Sequence, residues 1–213
     1  LRAIMLGMIL NNSEVKRYSR REKESEMIEL LLTTVKEFKS QGVTAQALDE
    51  ISSKVSSGKF KDKLNYVASV MNEYDKLILD NKYVDPLDDL TRLASILNTN
   101  KIFDGYSLFI DSFISFTNQQ YEVIKALFNQ CGRIVASLCI DHKLIGNNYL
   151  SSAGCNDLGI FDISSKTIKK LHKLASSNDK KVNKPIVLDT NIDNELDFLE
   201  KNMFRNNRKK YHQ

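Results

Sequence analysis

After about a hundred residues that carry only helical periodicity, the chain turns to two short apolar runs. Each closes on an aspartate, at residues 106–111 and 133–141, and a helical pattern lies between them. Strand, helix, strand with the helix as crossover is a βαβ unit. Such a unit normally belongs to a parallel sheet covered on both faces. The expected fold class is therefore α/β and helix-rich. A helical lobe over residues 1–101 precedes an α/β lobe over 102–190, and 191–213 form a last helix and a basic tail. The 213 residues, 42% of them hydrophobic, suffice for one ordinary domain or two small lobes. With 2 Pro and 8 Gly there is little punctuation for an all-β chain.

The helices of the first lobe can be read in order. Residues 19–41 begin highly charged, then place Met27, Leu30, Leu31, Val35 and Phe38 at helical spacing, and Gly42 offers a left-handed end. Thr44 can cap a second helix bearing Leu48, Ile51 and Val55, and Gly58 breaks it. A third runs to about Asn81 with an apolar stripe of Phe60, Leu64, Val67, Met71, Tyr74 and Ile78. Asp85-Pro86 opens a fourth, with Leu90, Leu93, Ile96 and Leu97 as its buried face. Beyond the βαβ unit, residues 142–163 read as a loop rich in Asn, Ser and Gly. Ser164 or Ser165 then caps a helix bearing Ile168, Leu171 and Leu174. Residues 184–188 are a further strand candidate, and 194–204 a final helix.

The first strand carries the most informative chemistry. An apolar strand ending in Asp111, at the carboxyl edge of a parallel sheet, is where an NTPase holds Mg²⁺, because a hard cation on phosphates takes carboxylate oxygens. In active helicases the next residue is a Glu that polarises the attacking water. Here it is Ser112, a hydroxyl that takes no proton at neutral pH without a stronger base. Asp111 is thus a degenerate Walker-B-like candidate for a nucleotide–metal site, and no residue is assigned a catalytic role. Two plainer readings stand beside it. Thr117 and Gln120 form a T-x-x-Q capping box with Phe116 and Tyr121 as its staple, and Asp111 can be a solvated strand end. Asp141, ending the second run, is the other carboxylate to test for proximity, and both aspartates can simply cap the backbone that follows.

Other features exclude more than they assign. The sequence has no G-x-x-x-x-G-K-[ST] phosphate loop and no carboxylate–lysine nuclease motif. Cys131, Cys139 and Cys155 are scattered, without C-x-x-C or zinc spacing, which points to reduced thiols and a cytoplasmic setting. His142, His172 and His212 stand alone, and His172 is expected on the solvated side of its helix. No run approaches the roughly 18 apolar residues of a membrane span, and the start at Leu1 reads as neither a signal peptide nor a native N-terminus but as an internal piece. Net charge is +4, a mild basic bias. Near the end Lys201, Arg205, Arg208, Lys209 and Lys210 gather with Phe204 and Tyr211. Arg205, Arg208, Lys209 and Lys210 are DNA-binding candidates by phosphate contact and stacking, against the plainer reading of a solvated tail.

The run Ile110-Asp111-Ser112-Phe113, then Phe116-Thr117 and Gln119-Gln120, resembles the AddB-family pattern I-D-G-F-x-x-F-T-P-Q-Q. Ser112 stands where that family has Gly, and Asn118 where it has Pro. Further likenesses follow in the same order along the chain. Leu138-Cys139-Ile140-Asp141 is similar to L-T-L-D, and Phe161, Thr167 and Leu171 fall in a similar frame. Glu195-Leu196, Leu199-Glu200-Lys201-Asn202 and Phe204 match E-L-x-x-L-E-K-N-L-F. Phe38 and Gly42-Val43-Thr44 with Leu48 resemble an early segment.

The resemblance implies an inserted helical subdomain and part of a RecA-like (P-loop NTPase-like) lobe. It also implies a parent that, as a heterodimer with an AddA-type helicase/nuclease, resects DNA double-strand breaks for recombinational repair. ATP, Mg²⁺ and a 4Fe-4S cluster are the family's cofactors, none of them expected within this segment. Expected partners are DNA and the AddA-type subunit, with no membrane. The leading expectation is a helicase-like scaffold inactive in isolation. The competing ones are a helical protein-interaction module unrelated to DNA and a competent motor, the latter opposed by Ser112 and the missing phosphate loop.

Overall fold

Gly42 shows how local sequence sets the helical architecture. In the computed structural model, which describes residues 1–11, 24–140, 161–186, 188 and 195–202, helix α2 (Glu24–Ser40) ends there with φ +68°. The Gly42 amide donates to the Lys39 carbonyl (2.9 Å) and the Val43 amide to the Phe38 carbonyl (2.8 Å), a Schellman ending. Thr44 then caps α3 (Ala45–Lys54), its hydroxyl accepting from the Ala47 amide. Gly58 at φ +143° leads into α4 (Lys59–Asp80). The Asp85 carboxylate accepts from the Leu87 amide, and Pro86 starts a 3₁₀ turn (Pro86–Asp88) that runs on into α5 (Asp89–Thr99). The Gly42 stop and the Thr44 and Asp85-Pro86 starts are found as expected, whereas α3 ends at Lys54 with Val55 already extended, so Gly58 leads into α4 rather than breaking α3.

A further helix, α1 (Arg2–Asn11), occupies a stretch to which the sequence reading gave no element. Its apolar residues lie all round it, so no one-sided period announces it. Even so, Leu6, Ile9 and Leu10 are among the most buried side chains, packed with Leu31, Val35, Leu48, Ala68, Val70, Met71 and Tyr74 in one core.

The expected stripes are partly displaced. Leu30, Ile51 and Phe60 are exposed, as are Leu93 and Ile96, while Val70, Ala68 and Ala94 are buried in their stead. Helix α4 packs against both α1 and α3. It therefore buries an arc wider than a single stripe.

The chain divides into two compact units, Leu1–Asn100 with Thr117–Val123, and Lys101–Phe116 with Ile124–Gln213. In the second unit, β1 (Ser107–Ile110) and β2 (Arg133–Ala136) pair in parallel, Ser107 opposite Arg133 through Ile110 opposite Ala136. Helix α6 (Asn118–Phe128) connects them as the crossover. Ile110 is buried and Leu108 and Ile134 partly so, whereas Phe109 and Val135 on the opposite face are exposed. The expectation of cover on both faces is therefore not met among the described residues. Helix α7 (Asp162–Ser177) starts at Asp162 rather than at a Ser164 or Ser165 cap. Ser164 is instead buried within its first turn, and Phe161 holds the cap position.

Residues 184–186 and 188 form no strand. Pro185 offers no amide to a ladder, and Ile186 and Leu188 are fully in solvent. Helix α8 (Glu195–Asn202) lies within the expected final helix. The loop expected over 142–163 lies, but for its last three residues, outside the described residues. Among the described residues no helix is long and apolar enough to cross a membrane.

A charge cluster around the buried Lys39 and Asp85, not anticipated from sequence, ties the first unit together. Lys39 Nζ lies 2.8 Å from Asp75, 3.1 Å from Asp85 and 2.8 Å from Asp88, and Arg2 approaches Asp85 at 3.5 Å. Burial pushes the Lys39 ammonium down, but Asp75, Asp88 and Asp85 outweigh it and hold it above the ordinary lysine value. Burial likewise pushes the Asp85 carboxyl up. The Leu87 amide, Lys39 and Tyr74 outweigh that and hold it below the ordinary range. Tyr74 is pushed up to about 12 by its own burial and by Asp85.

Lys39→Met is expected to cost about 3 kcal/mol, the low end for breaking a buried pair, because Asp75 and Asp88 are 46% and 40% exposed and keep part of their hydration. Urea denaturation at pH 7 measures it. Since the folded Asp85 pKa is depressed, its contribution is in place above the ordinary carboxylate pKa and lost as pH falls through the lower value. That acid-side loss should shrink in the variant.

Candidate functional site

The register of the parallel pair decides what Asp111 meets. With Ile110 opposite Ala136, the residues following each strand lie side by side, and the Ser137 amide donates to the Ile110 carbonyl (2.9 Å). The Ser137 hydroxyl donates to Asp111 Oδ1, and the Ser112 hydroxyl approaches Asp111 Oδ2 at 3.4 Å. Asp111 is fully exposed. The Ser137 hydroxyl first, then the Ser112 amide, hold its carboxyl below the ordinary value. At neutral pH the site is a carboxylate flanked by two hydroxyls at the carboxyl edge of two parallel strands. It can accept further hydrogen bonds or an oxygen-seeking cation. It presents at position 112 no carboxylate to take a proton from water.

The backbone shows why the family pattern has glycine where this chain has Ser112. Ser112 has φ +63°, the left-handed region that costs an L-residue about 1–2 kcal/mol and that glycine adopts freely. The chain keeps this turn despite bearing serine. Asn118, in place of proline, is the first residue of α6, where proline is favoured for its lack of a needed amide. Its side chain instead donates to the Gln41 carbonyl at 3.1 Å.

Between these two residues the capping box is complete. The Thr117 amide donates to Gln120 Oε1 (2.8 Å) and the Gln120 amide to Thr117 Oγ1 (3.3 Å). Gln119 is buried and donates to the Leu87 carbonyl and to Thr91, both at 2.9 Å. Thr167, buried in α7, donates to the Ile114 carbonyl at 2.8 Å and so holds the segment that follows Asp111. The sequence reading missed Ser137, although strand register could have found it. The role of Thr167 carried no signal beyond its place in the family pattern.

The other expected site residues divide by position. Asp141, Arg205, Arg208, Lys209 and Lys210 lie outside the described residues, as do Cys155, His142 and His212. His172 is partly buried rather than solvated. Cys131 is buried beside the end of α6, and burial pushes its thiol up, while Cys139 is exposed. In the first unit a cavity of about 650 Å³ is lined by Ile4, Met8, Leu77 and Glu73 among others, and Leu1, Ile4 and Met8 leave an apolar face of α1 open.

These features describe a helix-rich α/β chain with a carboxylate at the end of a parallel strand, followed by a T-x-x-Q cap. Its sequence matches the family described as "ADDB, N-terminal" over residues 2–201, and the chain belongs to that family. Proteins named as the B subunit of an ATP-dependent helicase/deoxyribonuclease resemble it. The one from Clostridium acetobutylicum is 30% identical over 90% of this chain and 16% of its own length. That from Clostridium novyi is 28% identical over 95% and 18%. The Caldanaerobacter subterraneus protein is 28% identical over 91% and 16%. The chain thus spans about a sixth of the length of these relatives.

Replacing Ser137 by Ala removes the chief donor to Asp111. The Asp111 pKa is expected to rise toward the ordinary aspartate value, as followed by carboxyl ¹³C titration. An unmoved midpoint would mean that Ser137 does not hold this carboxylate in solution.

Proposed function

We propose that the chain is part of the B subunit of an ATP-dependent helicase/deoxyribonuclease. That subunit, paired with an AddA-type helicase/nuclease in the cytoplasm, resects DNA double-strand breaks for recombinational repair. In this reading the segment is a helicase-like scaffold that contacts DNA and the partner and holds no catalytic site. Its second unit is part of a RecA-like lobe, and residues 1–101 are an inserted helical subdomain. The observation that carries the reading is the family match across residues 2–201, joined to the Asp111 turn with its complete capping box. The open face of Phe109 and Val135 supports the lobe assignment, since a two-stranded parallel sheet needs further cover and further strands to be stable.

The cofactors implied by the family do not fit this segment. Asp111 has its hydroxyl donors but no phosphate loop in the sequence to bring a triphosphate to it. Three cysteines fall short of the four thiolates that an iron–sulfur cluster takes. ATP, Mg²⁺ and the cluster would then belong to other parts of the assembly. A second reading, a helical interaction module unrelated to DNA, is favoured by the apolar face of α1 at Leu1, Ile4 and Met8.

The purified chain is expected to release no phosphate from ATP and to leave linear DNA uncut. ATP hydrolysis that Asp111→Ala abolishes would overturn the scaffold reading. Salt-dependent DNA binding separates the first reading from the second, because each phosphate contact releases counterions and steepens the salt dependence.

A further inference from the structure

Helix α7 carries Lys166, Lys169, Lys170 and Lys173, spaced by three and four residues. At 100° per residue these four fall within about 100° of arc, opposite the buried Thr167, Leu171 and Ala175. Lys166, Lys170 and Lys173 are exposed and Lys169 partly so. Thr167, through the Ile114 carbonyl, fixes which face turns outward. Neighbouring like charges at these spacings weaken a helix, so the stripe works against the element that bears it.

Charge is concentrated here. Residues 162–184 contain seven lysines against two aspartates, a net of +5, whereas the whole chain carries +4. Asp162 stands one turn before Lys166 and offsets part of the charge at that end. Lys180 is set apart from the stripe, since it donates to the Cys131 carbonyl at 3.2 Å.

We propose that the lysine face of α7 is a binding site for the phosphate backbone of duplex DNA. The proposal rests on the reading that the chain contacts DNA, and it places that contact on a helix of the second unit rather than on the basic tail at 205–210. Lys166, Lys169 and Lys173 are separated by rises of about 4.5 and 6 Å along a straight helix, a row of cations suited to a row of phosphates. The row carries no aromatic side chain on which an unpaired base could stack, which favours the duplex over a single strand. Lysine is a point charge without a base-reading fork, so the contact is independent of sequence.

The test measures binding of the full 213-residue chain to a fluorescein-labelled 20-base-pair duplex across a KCl series. It includes the triple variants Lys166→Gln/Lys169→Gln/Lys173→Gln and Lys166→Arg/Lys169→Arg/Lys173→Arg. The glutamine variant is expected to bind roughly tenfold more weakly at 0.1 M salt, with a log–log salt slope smaller by about 2 to 3. The arginine variant should bind like the parent, which separates charge from any loss of folding. If the parent binds with a salt dependence that the glutamine variant fully retains, the α7 site is overturned while DNA contact stands. If the parent shows no salt-dependent binding, the DNA reading fails and the site with it.

Discussion

A single ammonium group holds the first unit in register. Lys39 sits in the last turn of α2 and reaches Asp75 of α4 together with Asp85, which caps the 3₁₀ turn, and Asp88 within it, while Arg2 of α1 approaches the same Asp85. Three elements therefore meet at one charge, and α1 joins them through Asp85. Apolar packing alone would tolerate a helix sliding or rotating by a few degrees. A cation 7% exposed, needing carboxylates at hydrogen-bond distance, would not, because a misplaced helix leaves it buried without compensation. The Lys39 ammonium also lies 5.3 Å from the centre of the Tyr74 ring, so the most buried aromatic of the core is positioned by the same group.

What could be read from sequence follows the distance between cause and effect. Gly42, Thr44, Asp85 and the Thr117–Gln120 pair act on backbone groups within a few residues, and each forms the expected cap. The Lys39 contacts with Asp85 and Asp88 bridge 46 and 49 positions, and no periodicity in one sequence links them. Helix α1 was illegible for the opposite reason: apolar side chains around its whole circumference give no direction to a period. Residues 184–188 had the composition of a strand, but a strand exists only against a partner ladder, and composition says nothing about a partner.

The strand-end site lies between these extremes. Asp111 was visible because an apolar run closed on it. Its neighbour Ser137, 26 residues away, follows from the parallel register once Ile110 is set opposite Ala136. Ser112 was legible only as a departure from a family pattern, and its φ of +63° gives that departure a physical meaning. The position calls for glycine on backbone grounds. A serine there gains a hydroxyl near the carboxylate and carries the strain of a left-handed L-residue.

That strain bears on what the turn does. A strained residue persists only where its surroundings over-determine it, and here they do so from both sides. The Ser137 hydroxyl and amide hold Asp111 and Ile110 on one side, and Thr167 holds the Ile114 carbonyl on the other. The segment from 110 to 114 is therefore fixed by donors from Ser137, just past β2, and from α7. The same bonds that keep the turn in shape thus make Asp111 a joint between the ends of the two strands.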